Sequence, residues 1–394
     1  MDRRAFLKGA GTVTVLSAGG GVWYANDRGV FSVGEGPAYE PWKDWQTAGG
    51  EGALKLVRAA LLAASPHNTQ PWRFKVGGSF VELHIERQRN VGALDPYLRE
   101  EHIGMGCALE NLLLAAEANG YAAKVDVTSG GLRSMKEGPQ TERLARVDLT
   151  PCVRGESELY RAIPRRHTNR SPYDPQKPLQ REFLQELSCL PGKNESAKLF
   201  LFTGEAERTK IVRLSAEANA RLYSDPGVAA ASESWIRLKW GDVQKFRDGL
   251  TIDAFGLPPA TAALAKALPA GMLSRIVARS QQEGYDERML AAPLIGFIAV
   301  RNRYERAQCL EAGRIWQRAH LLATARGVAA RPGNEAMELV DFERALGRPA
   351  PCLARLGEIT GDPSWQPTFA FLMGYPALTA QASPRRPIQT VVDE

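Results

Sequence analysis

Two stretches of this chain align with each other without a gap: GCALENLLLAAEANGYAA, Gly106 to Ala123, and GRIWQRAHLLATARGVAA, Gly313 to Ala330. Gly106 falls on Gly313, Leu114 on Leu321, Ala116 on Ala323, Ala118 on Ala325 and Gly120 on Gly327. Upstream, in the same register, Tyr97 falls on Tyr304 and Arg99 on Arg306. In each copy small and apolar residues recur at helical spacing and the run ends on a glycine suited to a left-handed cap. Small residues let helix backbones approach closely, so the pattern predicts two central helices packed on each other about a pseudo-two-fold axis. The alternative is that any two Ala/Leu helices look alike. The shared terminal glycines and the register that continues outside the helix favour a duplication.

A chain of 394 residues can bury a sizeable core, enough for two or three domain-sized units. The net charge of +6 permits an anionic ligand or surface, but acidic residues are interleaved throughout and no Lys/Arg block dominates, so no nucleic-acid partner is expected. The five cysteines are far apart and odd in number, resembling neither a disulfide framework nor a metal knuckle. The five histidines show no ligand spacing, so no metal is expected. No Ser/His/Asp or Cys/His pairing stands out, and no catalytic side chain is assigned.

The chain opens MDRRAFLKGAG, with Arg3 and Arg4 ahead of a weakly apolar run to Ala25. Residues 1–26 look like a twin-arginine export signal, with Asp2 where the pattern usually has Ser or Thr. That reading implies the export machinery as a partner and a periplasmic or exported location. No clear cleavage site follows, which leaves an uncleaved membrane anchor open, although the run is short of the roughly 20 apolar residues of a span. The other reading is an N-terminal helix of the fold. Residues 27–50 are rich in Gly, Pro and polar residues and read as a linker, part of which packs down through Trp42 and Trp45.

Four stretches carry candidate binding residues. SPHNTQPWRF, Ser65 to Phe74, lies between a helix-like run (Leu54 to Ala64) and the alternating FVELHIE (Phe80 to Glu86), so it is a helix-to-strand loop. Its amides, Asn68 and Gln70, each offer two donors and an acceptor, which suits a planar ring edged with both. Arg165, Arg166, His167, Thr168 and Arg170 crowd cations beside a hydroxyl, as a phosphate dianion would require. A solvated basic loop is the other reading. Arg331-Pro332-Gly333-Asn334 forms a tight segment just beyond the second repeat, and Arg385-Arg386 is either a second basic pair for an anion or part of a solvated tail. Between them, residues 204–291 carry Trp235, Trp240, Phe246 and Phe255 among charges, either a helical cover over a cleft or ordinary amphipathic helices. LIGFIAV, Leu294 to Val300, is continuous and β-branched, the pattern of a buried strand.

Ser-x-x-Asn-x-Gln-Pro-Trp, here Ser65 to Trp72, resembles the flavin-contacting signature of the nitroreductase family, FMN proteins that usually work as dimers. Arg166-His167-Thr168-Asn169-Arg170 is similar to the family's Arg-x-Ser-x-Arg/Lys motif, with Thr168 for Ser and one extra residue before Tyr173. The resemblance implies an FMN site built from Ser65, His67, Asn68 and Gln70, from Arg166, His167, Thr168 and Arg170, from Pro332, Gly333 and Asn334, and from Arg385 and Arg386. Asn68 and Arg170 would face the pyrimidine edge, Arg166, Arg385 and Arg386 the phosphate, and the 332–334 backbone the flavin N5. The chain departs from the common Pro-x-Glu-Gly form there, which bears on reactivity more than on binding. Neither half holds both the amide loop and the arginine cluster. One FMN site per chain is therefore expected, between two fused halves (51–155 and 156–394, with an insert about 204–291), beside a second, degenerate site. This is similar to the Acg-like branch of the family. It implies an α+β fold with antiparallel-rich sheets flanked by helices, in a monomer that mimics the family dimer. The implied function is flavin hydride transfer from NAD(P)H, or an unknown donor outside the cytoplasm, to a small nitroaromatic or quinone-like acceptor. The alternatives are an FMN store without turnover, with the insert closed over the ring, and a flavin-free basic module for anionic surfaces.

Overall fold

Alternating Phe80–Glu86 buries every second residue and sits at the centre of the first sheet. The computed structural model describes residues 24–47, 52–192, 195–268 and 284–393. In the first sheet, Trp72–Val76 (β1), Phe80–Glu86 (β2), Tyr121–Val127 (β3) and Thr141–Pro151 (β4) pair antiparallel, with Trp72 opposite Ile85 and Val147 opposite both Val81 and Val125. Ala197–Phe202 (β5), Leu294–Val300 (β6), Ala329–Pro332 (β7) and Gln366–Gly374 (β8) form the second, in the order β5-β6-β8-β7 and also antiparallel. All of β6 is buried, as its unbroken apolar sequence requires. The last strand, Val392–Asp393 (β9), returns to the first sheet and pairs parallel with β1. The chain is thus α+β with antiparallel-rich sheets.

Four helices frame the site: Ala53–Leu61 (α1), Arg99–Ala118 (α2), Arg306–Ala325 (α3) and Glu335–Ala345 (α4). The repeated helices α2 and α3 cross at their aligned glycines. A Cβ on Gly106 would meet Leu310 O at 2.1 Å and one on Gly313 would meet Ile103 O at 2.0 Å, so only glycine lets the backbones touch. Gln317 Nε2 donates to Asn111 Oδ1 at 2.8 Å across the crossing, and Asn111 Nδ2 donates to Ala59 O at 2.9 Å, fastening α1 to the pair. Both helices end as the alignment predicts, at left-handed Gly120 (φ +83°) and Gly327 (φ +68°), and Tyr97 meets Tyr304 edge-on at 5.3 Å. The aligned arginines part company. Arg99 is wholly buried against Asp341 at 2.5 Å, whereas Arg306 pairs with Glu142 at 2.6 Å.

The 204–291 region is mostly helical, with a short parallel pair, Ile236–Arg237 beside Leu250–Thr251. Residues 24–47 are held against it. Arg28 Nε donates to Lys266 O at 2.9 Å, Lys266 Nζ donates to Gly29 O at 2.9 Å and pairs with Asp253 at 2.7 Å, and Ala38, Tyr39, Trp42 and Trp45 are buried. Part of the expected linker is therefore a packed strap. Arg3 and Arg4 lie outside the described residues. Among the described residues no helix is long and apolar enough to cross a membrane.

Candidate functional site

The loop after α1 turns sharply. His67 (φ +43°), Asn68 (φ +58°) and Gln70 (φ +52°) all adopt left-handed backbone, a conformation that costs a non-glycine residue about 1–2 kcal/mol. Hydrogen bonds from the loop's own amides hold it there. Asn68 Nδ2 donates to Gly249 O at 3.1 Å and Pro384 O at 3.0 Å, while Asn68 Oδ1 accepts from Arg385 Nη1 at 2.7 Å. Gln70 Nε2 donates to Arg247 O at 2.8 Å and its Oε1 accepts the Arg386 N–H at 2.8 Å. The sequence reading aimed both amides at a ring edge; here their hydrogen bonds are to the protein itself. Both clamp the insert and the C-terminal segment, because backbone carbonyls far along the chain supply their partners. Gln70 is fully buried and stands outside the cavity described next, whereas Ser65, His67 and Asn68 line it.

That cavity, of about 460 Å³, lies beside the α2/α3 crossing. At one end are Arg166 and Arg385, each 2% exposed. Arg166 Nη2 donates to Leu62 O at 3.1 Å and Nη1 lies 3.3 Å from His320 Nδ1, while Arg385 Nη2 donates to Ala63 O at 3.1 Å. The Nε of each is buried without a partner. Among the described residues no carboxylate pairs with either. Burial holds the Arg166 guanidinium down to about 10, and burial together with neighbouring Arg166 holds Arg385 well below the usual arginine range. Two desolvated like charges are costly side by side, and an anion bound at this end of the cavity relieves that. Arg170, which also lines the cavity, donates to Ala254 O at 3.2 Å and is likewise held to about 10, by burial and then by Arg331. His167 and Thr168 complete this wall, and burial followed by Arg166 keeps His167 neutral, at about 3. Arg386 is not part of it. It pairs with Glu86 at 3.1 Å and donates to Gln70 O at 3.0 Å, so the two C-terminal arginines face different ways.

Pro332, Gly333 and Asn334 line the cavity from the end of β7. Within this segment the Gly333 N–H donates to Ala370 O at 2.9 Å and Asn334 Oδ1 accepts the Ala370 N–H at 2.8 Å, because the segment continues the β7–β8 pairing. The first residue of α4, Glu335, together with Glu338, Glu100, Tyr223 and Tyr285, makes an acidic wall. Burial pushes Glu100 up to about 8 and raises Glu335 and Glu338 above the usual carboxylate range as well. The insert closes another side through Phe255, Leu257 and Met289. Of the four aromatics expected to form a cover, only Phe255 reaches the cavity. Trp235 Nε1 donates to Asn90 O at 2.9 Å, Trp240 stands against Gly29, and Phe246 is exposed. Sequence reasoning missed the acidic wall, whose one local signal was Glu335 directly after the 331–334 segment. It also missed Trp42 as a site residue.

No family model matches the chain. Over 120 residues it is 32% identical to a "Putative NAD(P)H nitroreductase" of Mycobacterium tuberculosis H37Rv, covering 30% of this chain and 33% of that one. It is 30% identical over 120 residues to the acg protein of the same organism, which carries the same description (30% and 34% covered), and 28% identical over 190 residues to an uncharacterized protein there (46% and 52%). The chain thus spans about a third to a half of the curated relatives it matches. Among solved structures it is similar to the FMN-dependent nitroreductase NfnB of Mycobacterium smegmatis in complex with NADPH, at 16% identity and a TM-score of 0.40, over 60% of this chain and 97% of that one.

Proposed function

We propose that the protein is an FMN-binding, nitroreductase-like oxidoreductase, with one flavin site per chain in the cavity beside the α2/α3 crossing. The observation that carries this is the pair Arg166 and Arg385, buried with an unpartnered Nε each and no carboxylate, in a chain 32% identical over a segment to a protein named as an NAD(P)H nitroreductase. In this reading Arg166 and Arg385 bind the phosphate, with the Ser65 hydroxyl nearby. Arg170 orients the ring through its pyrimidine edge and favours the anionic reduced form. Phe255, Leu257 and Met289 exclude water, and Glu335 stands in the acidic wall with its carboxyl raised above the usual range by burial. FMN, when bound, supplies hydride transfer from NAD(P)H or another reduced donor to a small nitroaromatic or quinone-like acceptor. The two halves are read as the fused, once-duplicated equivalent of a dimer, Acg-like, supported by the reciprocal contacts of Gly106 and Gly313. Export through Arg3-Arg4 belongs to the same reading and is tested by a reporter fusion of residues 1–26 with both arginines changed to Lys.

A second reading, an FMN store without turnover, is favoured by the insert walling the cavity. Purified protein should be yellow with one FMN per chain, and a colourless protein that takes up no FMN refutes both readings. Anaerobic mixing with NADH or NADPH separates them. Rapid bleaching identifies the oxidoreductase, and a spectrum that stays oxidised rules out NAD(P)H as the donor and favours the store.

A further inference from the structure

Trp42 belongs to the N-terminal strap yet lines the guanidinium end of the cavity. It is 8% exposed, and its indole Nε1 donates to Ser383 O at 2.7 Å, which ties the strap to the segment carrying Arg385. The indole face lies 4.5 Å from Arg385 Cζ and 6.0 Å from Arg166 Cζ, and its edge meets the His167 ring at 4.5 Å. The strap is itself pinned: Arg385 N donates to Ala38 O at 2.8 Å, the Ala38 N–H donates to Gln244 Oε1 at 2.9 Å, and Tyr39 packs with Val243.

We propose that Trp42 is the residue that selects the ligand of this cavity, closing its guanidinium end so that a flavin monophosphate is accepted and a flavin joined through a diphosphate to a second nucleoside is rejected. This rests on the FMN reading and deepens it. A monoester phosphate ends in three free oxygens, all of which can accept from the arginines. In a dinucleotide one of those positions is the bridge to the rest of the molecule, and that chain has to leave where Trp42 and Ser383 are bonded across the end. Opening the exit breaks the indole hydrogen bond and lifts the ring from Arg385, whose charge it covers. The wall therefore discriminates through a steric element as well as an attractive one.

The test is a flavin-fluorescence titration of flavin-stripped full-length protein with FMN, FAD and riboflavin. Wild type should bind FMN at least about 100-fold more tightly than FAD. Trp42→Ala should weaken FMN about threefold to tenfold while the FMN-to-FAD ratio falls below about 10. Trp42→Phe, which keeps a flat ring, should keep most of the ratio. Should the alanine variant fail to fold, Trp42→Leu preserves apolar volume without a flat face and carries the same expectation as alanine. Equal binding of FMN and FAD by wild type overturns the proposal, as does an undiminished ratio in a folded Ala or Leu variant. Wild type that binds FMN and FAD alike leaves the FMN site standing and removes only the role of Trp42. Wild type that binds none of the three flavins removes the site, and the proposal with it.

Discussion

Replacing Arg166 with Met should erase most of the preference for phosphorylated over unphosphorylated flavin. Nη2 donates to Leu62 O at 3.1 Å, Nη1 lies near His320 Nδ1 at 3.3 Å and Nε is buried without a partner, and among the described residues no carboxylate neutralises the charge. One charge-assisted hydrogen bond contributes about 1.5–3 kcal/mol, a factor of about 10 to 150 in Kd. Riboflavin has no phosphate to receive it. The ratio of riboflavin Kd to FMN Kd should therefore fall by that factor in Arg166→Met while riboflavin affinity itself changes little, and that ratio is the coupling term of a double-mutant cycle. Met preserves much of the stem. The orphaned Leu62 carbonyl costs about 1–3 kcal/mol, and removal of a desolvated charge beside Arg385 offsets it. The melting temperature of the ligand-free variant should accordingly stay within about 4 °C of wild type. Fluorescence titrations at one ionic strength, with a thermal melt of each ligand-free protein, supply all the quantities. A folded variant with an unchanged ratio refutes the reasoning. Equal weakening of both flavins refutes it too, by making Arg166 a structural residue.

Asn68→Ala removes the side-chain acceptor among those that hold Arg385, so FMN should weaken about tenfold and riboflavin far less; equal losses would return Asn68 to the ring edge. Gly106→Ala should destabilise by about 1–3 kcal/mol or more, because the new methyl meets a backbone oxygen at 2.1 Å. Gly327→Ala, with nothing within 4 Å, pays only for its positive φ, about 1 kcal/mol, and chemical denaturation giving the reverse order would contradict the close crossing. Stability should be greatest on the acid side of neutrality and fall above about pH 6.5. Glu100 rises from 4.5 in the unfolded chain to about 8 in the fold, so the folded chain keeps a proton the unfolded chain has lost, and stability falls as pH climbs between those values. Buried His67 falls from 6.5 to about 4, so its contribution is present above 6.5 and is lost as pH drops toward 4. Glu100→Gln should flatten the alkaline limb of thermal midpoint against pH, and an unaltered limb would show that Glu100 is already ionised in the fold.

What was legible in the sequence was local or periodic. The crossing helices show in their small-residue pattern, their ends in Gly120 and Gly327, and the buried strand Leu294–Val300 in its unbroken apolar run. The arginine-rich segment was equally visible, because clustered charge is a property of neighbours along the chain. Tertiary structure alone decided how these residues are used. Arg385 and Arg386 are adjacent and alike in sequence, yet one lines the cavity and bonds Asn68 and Ala63 O while the other pairs with Glu86 and Gln70 O, partners that the fold brings up from elsewhere in the chain. Asn68 and Gln70 bond carbonyls of Gly249, Pro384 and Arg247, and a backbone carbonyl is present at every residue and leaves no mark in composition. Trp42 lies in a Gly- and Pro-rich segment, and its place against Arg385 depends on a packing contact between opposite ends of the chain. Periodicity settles which residues share a helix or strand; the folded chain settles which side chain meets which, since those contacts are set by burial and hydrogen-bond satisfaction over the whole molecule.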